Sequence, residues 1–163
     1  MLSKVLEKGF NDQMHKEFYS SYLYLAMAAH FESVNLPGFA SWMKKQADEE
    51  RGHTMRFWEH VHDRGGKVEL KAIEQPPTAF GKPLEVFKKV LEHEQQITAS
   101  VNALYAAALA EGDVASQVFL QWFVSEQVEE EKNVCELIEQ LKMSGDQSFA
   151  VLFMDKHVLG ARK

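Results

Sequence analysis

GGKVELKAIEQPPTAFGK, residues 65–82, lies between two segments of helical periodicity, has no sustained periodicity of its own, and contains the consecutive prolines Pro76 and Pro77. A helix of about 28 residues is about 42 Å long, and an extended chain reaches that length in fewer residues than this stretch contains, at roughly 3.3 Å each. The stretch therefore predicts a long crossover that lets the helices before and after it run parallel.

Four long segments carry apolar residues at helical spacing and have no interior proline: about 4–34, 38–64, 83–111 and 113–143. Pro37 suits the first turn of the second segment, while Gly112 suits the end of the third and Asp113 the cap of the fourth. The links at 35–37 and at Gly112 are so short that the helices they join must be antiparallel neighbours. With a short apolar helix at about 147–159, the pattern predicts an all-α fold, a four-helix bundle with one long crossover connection and a short fifth C-terminal helix.

Length, charge and cysteine content narrow the class of protein. A chain of 163 residues suits one domain, residues 1–163, with a sizeable core. The single cysteine, Cys135, excludes an intrachain disulfide and a CxxC metal ribbon. We expect no secretion signal and no membrane span, and hence a cytoplasmic location, because no apolar run has the required length. A net charge of -6 without a basic tail argues against nucleic-acid binding.

Four glutamates interrupt the predicted core faces, one in each long helix, and each lies near the middle of its helix. They are Glu17, Glu50, Glu94 and Glu130. His53 follows Glu50 by three residues, so the two side chains share one helical face. A single glutamate is most often a solvated residue on a helix surface. Four at one level of a bundle predict a shared buried layer instead, because both parallel and antiparallel packing bring the middles of the helices together.

Several ionised carboxylates in one buried layer repel one another and lose their hydration, at a cost of several kcal/mol each. A pair of bound cations removes this cost. Oxygen ligands with one imidazole suit iron or manganese better than structural zinc, which usually takes thiolates or several histidines. The layer therefore predicts a di-metal centre.

The arrangement of these residues resembles the ferroxidase centre of bacterial non-haem ferritins. The shared motifs are Glu17, Glu50-x-x-His53, Glu94 and Gln127-x-x-Glu130, with Asp48-Glu49-Glu50, His93-Glu94-Gln95 and Gln121-Trp122 around them. The likeness extends over essentially the whole chain. It implies a ferritin-like protein that oxidises Fe(II) with O2 or H2O2 and stores ferric oxyhydroxide inside a hollow homo-oligomer of 24 subunits.

The resemblance also implies a role for each residue. Glu17 and His53 bind the first iron, Glu94 and Glu130 bind the second, and Glu50 bridges both. Gln127 is expected to hydrogen-bond water or the oxidant. A third, exposed iron site is implied at Glu49, Glu126, Glu129 and Glu130. Tyr24 and Trp122 are either core residues or donors of single electrons to the oxidant.

Related di-iron proteins with other functions fit the sequence less well. A haem-containing bacterioferritin would have methionine after the bridging glutamate and Glu-x-x-His on the fourth helix, whereas this chain has Arg51 and Gln127-x-x-Glu130, so no haem is expected. A rubrerythrin-like peroxide reductase needs a cysteine-ligated iron module, which one cysteine cannot form. A DNA-protecting miniferritin builds its metal site between subunits, from residues placed differently, and often has a basic tail. This chain has neither feature. A plain helical scaffold does not explain four carboxylates on core faces.

Overall fold

The computed structural model describes residues 1–145 and 147–159, and within these ranges the secondary structure is helical. The helices are α1 Lys4–Ser33, α2 Pro37–Asp63, α3 Pro83–Ala110, α4 Val114–Ser144 and the short α5 Ser148–Phe153, followed by a π-helical segment, Met154–Leu159. The predicted fold class is confirmed. The four long helices begin and end within about one residue of the predicted positions, as is usual for helix ends. The predicted single domain includes residue 146 and residues 160–163, which lie outside the described residues, and it stays a prediction.

The helix ends follow from local chemistry. Pro37 begins α2, where a missing N–H removes no helical hydrogen bond. Asp113 caps α4 by accepting a 3.0 Å hydrogen bond from the backbone N–H of Ser116. The same carboxylate accepts two hydrogen bonds of 2.8 and 2.9 Å from Arg64, which follows α2, and the pKa of Asp113 falls to about 2 as a result. This ion pair ties the end of α2 to the start of α4.

The long helices pack mainly as two pairs, α1 along α2 and α3 along α4, with further contacts between α1 and α3. Asn11 fastens the crossover to α1: its Nδ2 donates to the Lys67 carbonyl at 2.9 Å, and its Oδ1 accepts from the Glu69 N–H at 2.7 Å. Phe80, near the other end of the crossover, is buried. Among the described residues, no helix is long and apolar enough to cross a membrane.

Two apolar clusters fill the bundle. One contains Phe31, Phe39, Trp42, Phe87 and Leu137, and the other contains Phe10, Phe57, Val101, Leu120 and Phe123. In each long helix, buried polar residues lie in sequence between the parts that enter the two clusters. The apolar spacing of the sequence also predicts Leu25 on the core stripe of α1, after Phe10 and Met14. This expectation was wrong: Leu25 is 47% exposed, because the helix turns Tyr24 inward.

The C-terminal segment packs against the start of α2. Asp155 is buried, and its Oδ1 accepts a 2.9 Å hydrogen bond from the backbone N–H of Phe39. The cap residue of α2, Leu36, makes no side-chain hydrogen bond, so Asp155 supplies a cap from another part of the chain. Gly38 permits this approach, because a Cβ built there would lie 1.8 Å from the Asp155 carbonyl oxygen.

We therefore expect Gly38→Ala to lower the free energy of unfolding by about 1–3 kcal/mol, the usual cost of overpacking, as measured by thermal or urea melts. Gly52→Ala is the matched control in the same helix, since an added Cβ there meets nothing within 4 Å. The control should leave stability unchanged or raise it by up to about 1 kcal/mol. Equal stability of the two variants would show that Asp155 does not pack closely on α2.

Candidate metal centre

Between the two apolar clusters lies a polar layer formed by side chains that are at most 6% exposed: Glu17, Glu50, His53, Glu94, Gln127 and Glu130. Within it, Glu17, Glu50 and His53 each offer a ligand atom, and these atoms lie within 4.8 Å of one another. Two carboxylates and one imidazole at this spacing have the donor set and the proximity that bind a divalent transition metal.

Hydrogen bonding leaves two oxygens of this group without a partner. Glu17 Oε1 accepts from Gln13 Nε2 at 2.8 Å, and Glu50 Oε2 lies 3.2 Å from His53 Nδ1. In the part of the chain that the structure describes, Glu17 Oε2 and Glu50 Oε1 are the buried side-chain oxygens that accept no hydrogen bond while both carboxylates are ionised; they can hydrogen-bond to each other only when one carboxyl is protonated. A buried acceptor without a partner costs about 1–3 kcal/mol. A cation bound between these oxygens would remove that cost.

His53 is held in a defined orientation. Its Nδ1 faces the carboxylates, 3.2 Å from Glu50 Oε2, so with the ring proton on Nε2 the lone pair of Nδ1 is directed at the site where a metal would bind. The imidazole also meets Trp122 and Phe123 edge to face, with ring centroids 5.4 and 5.8 Å away. These contacts fix the ring plane before any metal arrives.

Burial and mutual repulsion raise the pKa values of the carboxyl groups in the layer. Burial first, and the neighbouring Glu50 second, raise the pKa of Glu17 well above its ordinary value. Burial and then the charge of Glu94 raise the pKa of Glu50 in the same way. Burial and the same Glu94 charge raise the pKa of Glu130 to about 8. A bound dication reverses this balance, because it stabilises the ionised carboxylates.

The other half of the layer is hydrogen-bonded more fully. Tyr24 OH donates to Glu94 Oε1, and Gln127 Nε2 donates to Glu94 Oε2 at 3.0 Å. Glu130 Oε2 accepts from Gln46 Nε2, also at 3.0 Å. Both oxygens of Glu94 therefore have protein partners, whereas Glu17 has a partner at Oε1 but not at Oε2. A metal at this half must replace or share existing hydrogen bonds.

An acidic groove of about 600 Å³ opens on the surface beside Glu130. It contains every residue of the implied third site, namely Glu49, Glu126, Glu129 and Glu130, together with Gln46. Glu49 and Glu129 are exposed and Glu126 is half-buried, whereas Glu130 also belongs to the buried layer. Glu130 thus connects the groove to the interior.

The structure places the two aromatic candidates differently. Tyr24 is fully buried, and its contact with Glu94 puts the phenol at the centre itself. Burial and the charge of Glu94 raise the pKa of Tyr24 well above its ordinary value, so the phenol keeps its proton. Trp122 is half-buried, packs on His53, and has the Arg56 guanidinium carbon 3.6 Å above its ring. The sequence did not indicate the contact between Tyr24 and Glu94.

Sequence reasoning missed Gln13 and Gln46. Each lies four residues before a predicted ligand, Glu17 and Glu50 respectively, and so shares its helical face. That spacing is the signal that would have found them. The assignment of particular ligands to two separate metal ions stays a prediction.

A family model described as Ferritin, ferritin-like domain, matches residues 7–144. The chain belongs to the ferritin family. A bacterial non-heme ferritin of Bacteroides fragilis is 43% identical over 99% of this chain and all of that protein, and one of Staphylococcus aureus is 40% identical over 99% of this chain and 97% of that protein. Among solved structures, an open-pore ferritin of the hyperthermophilic archaeon Archaeoglobus fulgidus matches with a TM-score of 0.98 and 42% identity over the whole of both chains. The likeness to ferritins drawn from the sequence is confirmed.

Proposed function

We propose that this member of the ferritin family stores iron, and that its polar layer is a ferroxidase centre that oxidises Fe(II) to Fe(III). Each pair of Fe(II) ions supplies two electrons, which with two protons reduce O2 to hydrogen peroxide or hydrogen peroxide to water. The observation that carries the proposal is the buried group of Glu17, Glu50 and His53, in which two carboxylate oxygens have no hydrogen-bond partner.

In this proposal the ligands act as the resemblance implies. Glu17 and His53 hold the first iron, Glu94 and Glu130 hold the second, and Glu50 bridges them. Gln127, whose amide donates to Glu94, hydrogen-bonds water or the oxidant. Because the carboxylates have raised pKa values, binding of Fe(II) releases protons from the layer. The centre is then a site of turnover, with iron as its substrate.

The acidic groove is the proposed third iron site and the route by which iron leaves the layer. Glu130 faces both the layer and the groove, so an ion can pass from Glu130 to Glu126 and Glu129 with an oxygen ligand at each stage. Hard oxygen ligands suit iron in this role. The product is ferric oxyhydroxide, held in a hollow shell of 24 copies of the chain in the cytoplasm, without haem.

Two measurements test the function. Size-exclusion chromatography with mass determination should give an assembly of many subunits, and aerobic addition of Fe(II) should produce the broad near-ultraviolet absorbance of ferric oxo species, growing with added iron beyond two ions per chain. A small oligomer that retains two irons and forms no mineral would favour a resident di-iron enzyme instead.

We expect the position formed by Glu17, Glu50 and His53 to fill before the position formed by Glu94 and Glu130. The first has unpartnered oxygens and an imidazole, while the second lacks nitrogen and must displace hydrogen bonds on Glu94. Anaerobic Fe(II) titration by calorimetry, with crystals soaked at substoichiometric iron, measures the order. Equal occupancy of both positions at one iron per chain would contradict it.

We expect Tyr24→Phe to bind Fe(II) but to change the decay of the oxidised intermediate. The substitution removes the donor to Glu94 and a phenol able to supply one electron at the centre. Stopped-flow spectroscopy and the ratio of Fe(II) to O2 consumed measure the effect. Tyr22→Phe on the same helix is the control, because Tyr22 is 48% exposed. An unchanged intermediate lifetime and an unchanged ratio would make Tyr24 a core residue only.

A further inference from the structure

Three carboxylates of the polar layer each accept a hydrogen bond from the side-chain amide of a different glutamine. Gln13 donates to Glu17 at 2.8 Å, Gln46 donates to Glu130 at 3.0 Å, and Gln127 donates to Glu94 at 3.0 Å. All three glutamines are buried, and they come from three helices. Gln127 belongs to the motif that resembles ferritins, whereas Gln13 and Gln46 lie outside the proposed ligand set.

The orientation of Gln13 follows from its own partners. Its Oε1 accepts a hydrogen bond from the Ser100 hydroxyl, and the Ser100 oxygen accepts in turn from Lys16 Nζ. Because the amide oxygen is already taken, the NH2 group must face Glu17. Glu17 Oε1 is thereby tied, and Oε2 is the oxygen left without a partner. Ser100 of α3 thus orients the amide that hydrogen-bonds a ligand on α1.

Gln46 has the corresponding position at the other side of the layer. It is 8% exposed, lines the acidic groove, and donates to Glu130 Oε2. Glu130 is the residue that reaches from the groove into the layer. The amide of Gln46 therefore fixes the carboxylate past which an ion must move between the groove and the second metal position.

A neutral amide suits this task better than a basic side chain. It donates to a carboxylate oxygen and fixes the direction of the lone pairs, yet it leaves the negative charge of the carboxylate available to a cation. A lysine or arginine at the same place would repel the incoming metal ion. Groups that hydrogen-bond to ligands typically contribute about 10–100-fold to metal affinity.

We propose that Gln13 and Gln46 are positioning residues, one for each metal position: Gln13 orients Glu17 for the first, and Gln46 orients Glu130 for the second. The inference rests on the proposed function, and it adds to that function one orienting glutamine for each metal position. It requires the two glutamines to act on different positions, which a general contribution to folding would not produce.

The test compares Gln13→Met and Gln46→Met, since methionine has nearly the shape of glutamine but no N–H donor. Anaerobic titration with Co(II) measures the affinities, because cobalt stays in one oxidation state when O2 is absent. Cobalt anomalous scattering from soaked crystals shows which position each ion occupies. Gln13→Met should weaken binding about 10–100-fold at the position of Glu17, Glu50 and His53 and leave the other position unchanged. Gln46→Met should have the reverse selectivity. Each variant is thus the matched control of the other, and exposed Gln121→Met should change neither affinity.

Ser100→Ala gives a second, milder test that keeps Gln13 in place. Without the hydroxyl, the Gln13 amide is free to turn over, so affinity at the first position should fall by less than in Gln13→Met. Equal losses at both positions in either glutamine variant, or affinities equal to those of the unsubstituted protein, would overturn the inference while leaving the centre itself intact. Unsubstituted protein that leaves either position empty at saturating cobalt would overturn the proposed function, and this inference with it.

Discussion

Glu50→Ala should slow Fe(II) oxidation by more than about 100-fold. Loss of a group that only hydrogen-bonds to a metal ligand costs up to roughly 100-fold, and loss of a ligand itself should cost more. The reason is that Glu50 lies between both halves of the layer and is the proposed ligand of both ions. The metal-free variant should stay folded and melt at an equal or higher temperature, because the substitution removes a buried carboxylate with an unpartnered oxygen. Stopped-flow oxidation rates and thermal melts on the same preparation measure the two effects.

Glu59→Ala is the control for this experiment, because Glu59 lies on α2 but is exposed. It should oxidise Fe(II) at the normal rate. If Glu50→Ala instead oxidised iron normally and melted many degrees lower, Glu50 would be a structural residue, and the two-metal interpretation of the layer would be wrong.

The metal-free protein should lose stability as the pH rises from about 5 to about 8. Glu130 has a pKa of about 8 in the folded protein, against an ordinary value of about 4.5 in an unfolded chain, and the pKa values of Glu17 and Glu50 are raised in the same direction. Between these values the folded state binds more protons than the unfolded state, so the free energy of unfolding falls as the pH rises. The stabilising contribution is complete below the unfolded pKa and is lost by about pH 8 for Glu130, at a cost of a few kcal/mol. Asp113, with a pKa near 2, stays ionised throughout this window.

Urea melts at pH 5 and pH 8 in the presence of a chelator measure this loss, and Glu130→Gln should reduce the difference between the two pH values. Adding Zn(II) or Co(II) should reverse the trend, because metals bind the ionised carboxylates and so stabilise the folded state more as the pH rises. Burial lowers the pKa values of His60 and His93, which makes stability rise with pH in the lower part of this window, so the comparison with Glu130→Gln decides the point. An equal difference between pH 5 and pH 8 in the variant and in the unsubstituted protein would show that Glu130 ionises freely.

Much of the fold was accessible from the sequence, because it depends on local rules. Pro37, Gly112 and Asp113 mark helix ends through backbone geometry and capping, which act within a few residues. The crossover follows from chain length alone. The buried layer was also predictable, since Glu17 and Glu50 fall on apolar faces and lie near the middles of their helices.

The hydrogen bonds inside the layer were not predictable, because they join residues far apart in the chain. Tyr24 and Glu94 are 70 residues apart, and Gln46 and Glu130 are 84 apart. Whether such side chains meet depends on helix rotation and separation to within about an ångström, which periodicity does not specify. The same limit applies to Asp155, whose cap on α2 comes from 116 residues away. Leu25 was assigned to the core because apolar character alone does not reveal which face a helix turns inward.

The two apolar clusters at either side of the polar layer separate the scaffold from its chemistry. Each cluster contains side chains from all four long helices and holds its own end of the bundle together. Because these clusters stabilise the bundle, the residues between them do not have to contribute apolar packing, and they can be polar side chains that bind an ion. Ligands in this layer can therefore be exchanged for others while both ends keep their packing, which gives one helical framework the capacity to support different metal chemistries.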